Sequence, residues 1–138
     1  MLADAIVAKR EEAARIGQSQ NPSQEFGGVD VKGLDPIKLS TLEEALTGRK
    51  VEPQFTILHQ ESDEGPWVFE VSPELIAALQ AGLSPSKISE VAALWMKSDE
   101  LRLDRWSLDG AKYVIESLAA LATRAKSEGK ILMLWQCL

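Results

Sequence analysis

Few residues in this chain have the types and spacing that chemistry requires. His59 is the only histidine, so any histidine-based acid–base scheme must run through it. It ends the β-branched, apolar run Phe55-Thr-Ile-Leu-His59, where a lone histidine reads first as a structural residue. Cys137, the only cysteine, lies in an apolar C-terminal stretch; a buried thiol there is a hydrophobic filler with poor nucleophilicity. Glu61, Asp63 and Glu64 cluster beside Gly65. A calcium loop would need regularly spaced carboxylates and a distant bidentate Glu between two helices, whereas here an apolar strand-like run follows at once. The cluster therefore reads as a solvated hairpin turn that guards the sheet edge, with a partner-binding acidic knob as the functional alternative. Arg105-Trp106 pairs two residue types enriched in interface hot spots, although a Trp just before a helix cap equally suits a hydrophobic staple.

Signature motifs do not add to this set. The sequence contains no P-loop, no strand followed by Gly-x-Gly-x-x-Gly, no Gly-x-Ser-x-Gly elbow and no His-Glu-x-x-His. No catalytic residue, cofactor or metal site is nominated, and the expectation is a protein that is not an enzyme. With 21 Asp plus Glu against 15 Lys plus Arg, the net charge of -6 disfavours nucleic-acid binding. In residues 2–16, Asp4, Glu11 and Glu12 balance Lys9, Arg10 and Arg15, so the acidity belongs to the remainder. The longest strongly apolar run, Ile131 to Trp135, is far short of a bilayer span, and Asp4 and Lys9 interrupt any N-terminal signal core. A cytoplasmic protein with no membrane association is expected.

The elements that must position these residues fall into two zones. Residues 1–33 read as an N-terminal helical arm followed by a flexible linker. Ala, Glu, Lys and Arg favour helix over 2–16, yet Lys9 and Arg10 border the face formed by Leu2, Ile6 and Ala13, leaving a poor apolar stripe. Residues 17–34 are rich in Gly, Gln, Ser and Asn, which argues against any regular element. Residues 34–138 read as a single α+β domain. Asp35-Pro36, Ser72-Pro73, Ser84-Pro85 and Ser107 offer helix caps, three of them followed by proline. Helices are predicted over about 35–47, 72–81, 84–97 and 107–128. A hairpin over about 54–71 flanks the turn Glu61-Ser-Asp-Glu-Gly-Pro66, and 130–137 is a further strand of a small, mainly antiparallel sheet. Because the last strand is apolar at odd and even positions alike, it should be central and covered on both faces.

The stretches Trp67-Val-Phe-Glu-Val-Ser-Pro-Glu-Leu, Trp95, Leu101 to Trp106-Ser, and Glu128-Gly-Lys-Ile-Leu-Met-Leu-Trp-Gln-Cys-Leu138 resemble a set of small uncharacterised bacterial proteins. The similarity extends back to Leu34-Asp-Pro-Ile-Lys-Leu and so covers roughly 34–138. It implies a bacterial α+β domain and assigns no function. Three functional readings follow. The first is an adaptor or immunity-type interaction module with an acidic surface, contacting a protein partner through Glu61, Asp63, Glu64, Arg105 and Trp106. The second is a small-molecule binder or small enzyme with a sheet–helix pocket lined by His59, Trp67 and Glu70. The third is a homodimer formed through the N-terminal arm or a sheet face.

Overall fold

The apolar C-terminal stretch is the axis of the molecule. In the computed structural model, which describes residues 1–138, Ile131–Cys137 is the middle strand of five in an antiparallel sheet. In chain order the strands are β1 (Leu2–Ala8), β2 (Gly28–Asp30), β3 (Ile57–Gln60), β4 (Trp67–Glu70) and β5 (Ile131–Cys137), arranged β2-β1-β5-β4-β3. β5 pairs with β1 from Leu2 opposite Cys137 to Ala8 opposite Ile131, and with β4 from Trp67 opposite Gln136 to Glu70 opposite Met133. Leu132 and Leu134 face one side and Met133 and Trp135 the other, which accounts for the missing alternation.

The helices are α1 (Ala13–Gln18), α2 (Pro22–Phe26), α3 (Pro36–Thr47), α4 (Pro73–Gln80), α5 (Pro85–Trp95), α6 (Asp99–Leu103) and α7 (Leu108–Glu128). The four longest lie where the caps and periodicity predict them. Asp35 accepts from the Lys38 N–H at 2.8 Å, Ser72 from Leu75 at 3.1 Å, Ser84 from Lys87 at 3.2 Å and Ser107 from Gly110 at 2.9 Å. Their apolar faces meet the first side of the sheet in the main core. There Ile115, Leu118 and Ala122 of α7 pack with Leu75 and Leu79 of α4, Val91 of α5 and Leu132 of β5.

The N-terminal third departs from the sequence expectation. Leu2–Ala8 is a strand, not the start of a helical arm, and residues 17–34 contain α2 and β2 rather than an unstructured linker. Its two faces explain the strand. Ala3, Ala5 and Val7 enter the main core, while Ile6 and Ala8 enter a smaller core on the opposite side. Ala8, Ala13, Ile16, Val68, Met133 and Trp135 complete that second core around Ile6, with Phe26 packed against it. Cover for the second face comes from α1 and α2.

Asp4 is buried, and its Oδ2 accepts the Ser23 N–H at 3.0 Å in the first turn of α2. A carboxylate on the sheet therefore caps a helix that its own N-cap residue, Asn21, leaves uncapped. Gly28 lies opposite Ile6, and a Cβ there would stand 2.1 Å from the Ala5 carbonyl oxygen. Only glycine lets β2 approach β1 this closely. No helix is long and apolar enough to cross a membrane.

Candidate functional site

The acidic cluster is presented by the turn between β3 and β4. Ser62 organises it: its hydroxyl donates to the Gly65 carbonyl at 2.7 Å and accepts the Glu64 N–H at 3.3 Å. The Gly65 N–H returns to the Ser62 carbonyl at 3.0 Å, and the Gln60 side-chain amide donates to that same carbonyl at 2.9 Å. Gly65 has φ +89, and a Cβ there would meet the Trp67 ring at 2.6 Å, so the turn requires glycine. Glu61, Asp63 and Glu64 all project into solvent. His59 Nε2 lies 2.7 Å from Glu61 Oε2, whereas neither Asp63 nor Glu64 belongs to an ion pair. The turn is a hydrogen-bonded projection on which Asp63 and Glu64 carry negative charge without an ion-pair partner.

His59, Trp67 and Glu70 do not share a pocket. The His59 ring leans on α1, where a Cβ on Gly17 would come within 2.4 Å of its Cδ2. Trp67 packs against the main core on the other side of the sheet. Glu70 binds Arg10 through two carboxylate–guanidinium hydrogen bonds, the longer at 3.0 Å, and this contact raises the Arg10 pKa above its ordinary value, first by hydrogen bonding and then by charge. Strand alternation separates Trp67 from the other two, since neighbouring side chains on a strand point to opposite faces. Glu70 does help wall a cleft of about 270 Å³ between α3, residues 49–54 and the β4–α4 junction. Leu39 and Phe69 contribute apolar surface to it, and Glu43, Glu74, Arg49 and Lys50 contribute charges of both signs. Glu43 accepts the Ser72 hydroxyl at 2.7 Å, tying α3 to the cap of α4.

Arg105 and Trp106 lie elsewhere, at the corner between α6 and α7. The Trp106 N–H bonds the Leu101 carbonyl at 3.0 Å, and Arg105 adopts φ 57 in the left-handed position where glycine usually ends a helix. Trp106 is half-buried against Trp95, with ring centroids 5.3 Å apart in an edge-to-face arrangement, so it is a packing wedge. Arg105 is exposed. No hydrogen bond or ion pair connects this corner with the acidic turn.

The residue that sequence reasoning missed is Lys38. Its side chain is only 2% exposed, and its ammonium donates to the Gly33 carbonyl at 2.8 Å, to Asp35 at 3.2 Å and to Asp104. It also sits 5.8 Å from the centroid of Trp106. All three ammonium donors are used, so the group is a polar clasp joining α3, the turn before it and α6. The Lys38 carbonyl accepts the Trp95 indole N–H at 3.2 Å, extending the clasp to α5. A signal was present: Lys38 lies four residues before Leu42 and seven before Ala45, a slot on the apolar stripe of α3.

Comparison of the chain with protein families, curated proteins and solved structures finds no match.

Proposed function

We propose that this chain is a non-enzymatic protein–protein interaction module that engages a basic partner through the acidic turn at Glu61, Asp63 and Glu64. One observation carries the reading: the carboxylates of Asp63 and Glu64 are exposed on a turn braced by Ser62 and Gly65 and have no internal ion-pair partner. Charge held on a projection steers encounter and selects partners of opposite sign. Arg105, exposed on the separate α6–α7 corner, is a second contact in this reading, and Trp106 supports that corner from beneath. The setting is the bacterial cytoplasm, on the resemblance over residues 34–138 and a single unpaired thiol, Cys137.

The test is affinity capture from the native cell with the full chain and with the combined variant Glu61→Ser, Asp63→Ser, Glu64→Ser. The variant should retain the parent melting temperature, lose most of the captured partner and show a weaker dependence on salt. Undiminished capture by the variant would return these residues to the role of a solvated turn.

A second reading, small-molecule binding, is favoured by the 270 Å³ cleft, whose wall includes Glu70 but neither His59 nor Trp67. Chemical-shift changes confined to Leu39, Phe69 and their neighbours on screening metabolites would support it.

A further inference from the structure

β3 ends the sheet. β4 pairs with its inner side, and no strand lies along its outer side. The apolar residues of this edge face water: Phe55 is 54% exposed and Ile57 48% exposed. Both are anchored on β4, Ile57 opposite Phe69 in the register and Phe55 edge-on to Phe69 at 6.3 Å. The opposite edge, β2, also lacks an outer strand but exposes no large apolar side chain. β2 is three residues long, and the carbonyl of Gly27 beside it is taken by the Arg124 guanidinium. Of the two open edges only the β3 edge carries exposed large apolar side chains, and it runs directly into the acidic turn.

We infer that an extended, basic segment of a partner protein adds to the outer side of β3 as a sixth strand. This deepens the interaction reading above and rests on it. Backbone groups of Ile57–Gln60 not used by β4 supply the pairing, and the exposed faces of Phe55 and Ile57 receive an apolar side chain of the added strand. Lysine or arginine at the end of that strand nearest the turn meets Glu61, Asp63 and Glu64. Charge also decides against a second copy as the occupant. An identical edge, Phe55 to Gln60, carries no lysine or arginine to meet Glu61, Asp63 and Glu64.

The probe is a fluorescein-labelled peptide of alternating valine and threonine with lysine at both ends, titrated into the full chain. Two control peptides accompany it: one N-methylated at every second residue, and one with glutamate in place of lysine. The parent peptide should bind, with slowed amide exchange confined to Ile57–Gln60. N-methylation keeps the charge but removes the pairing donors, and should weaken binding about tenfold or more. The glutamate peptide should not bind. Equal binding of the N-methylated and parent peptides would overturn strand addition while leaving the acidic turn as a charge-recognition site. Exchange protection at β2 or the cleft instead of β3, or no binding of the parent peptide at millimolar concentration, would likewise overturn it. The interaction reading itself fails separately, through undiminished capture by the Ser variant.

Discussion

Ile6→Ala separates the observed N-terminal strand from a helical arm. In the arm, Leu2 and Ile6 occupy the same weak face of a surface helix, and truncating either would cost little. In the structure Ile6 has no exposed surface and sits in the second core between Ile16, Met133 and Trp135, while Leu2 is 52% exposed at the end of β1. The substitution removes an ethyl and a methyl group from full burial. At about 0.8 kcal/mol per buried carbon the transfer loss is about 2.4 kcal/mol. The cavity left against the sheet raises the total to about 3–4 kcal/mol, within the range observed for such truncations. Domain stabilities are typically about 5–15 kcal/mol, so the loss is a large share of the whole. The melting temperature should fall by roughly 10 °C. Urea unfolding followed by tryptophan fluorescence measures it, with Trp135 reporting from the same core. Leu2→Ala is the control, with an expected loss under about 1 kcal/mol on its partial exposure. If the two variants unfold within about 0.5 kcal/mol of each other, the second core does not hold the N-terminal segment as described.

Three further outcomes follow from the same packing. A chain ending at Lys130 lacks the central strand, and one beginning at Leu34 lacks its longest-paired neighbour. Both should lose cooperative thermal unfolding by calorimetry, and a parent-like transition in either would contradict the strand order. Gly28→Ala drives a Cβ toward the Ala5 carbonyl, so β2 should detach and amide exchange at Val29 and Val31 should rise while α7 keeps its protection. Arg105→Gly relieves the left-handed position and should raise stability by about 0.5–1 kcal/mol in urea unfolding, since left-handed backbone costs an L residue roughly 1–2 kcal/mol. A destabilised Arg105→Gly variant would show that the Arg105 side chain contributes more than its backbone costs.

The candidate site was legible in part. The turn chemistry of Glu61 to Pro66 marked an exposed acidic hairpin tip, because carboxylates next to Gly-Pro between two β-branched runs have little other use. His59, Trp67 and Glu70 looked like one pocket because they are close in sequence across a hairpin. Side-chain direction on the paired strands puts Trp67 on the face opposite His59 and Glu70, and those two meet different partners, α1 and Arg10. Lys38 went unrecognised because a lysine on a helix is ordinarily solvated. Its burial depends on acceptors from Gly33 and from Asp104, the latter 66 residues away.

By itself the sequence determined the four long helices after residue 35, though not the short α6, and the apolar strands of the domain. Their signals are local: a capping oxygen, a proline at the first helical position, a repeat of 3.6 or a run of apolar residues. Only the tertiary structure decided the N-terminal third. Leu2–Ala8 is rich in alanine, which favours helix by a few tenths of a kcal/mol per residue over most alternatives. Pairing along the whole of β5 and burial on both faces outweigh that preference, and neither can be read from seven residues whose partner lies at the far end of the chain. The same pairing leaves β3 as the open edge beside the acidic turn, which is why the surface proposed for recognition is a property of strand order and not of any motif.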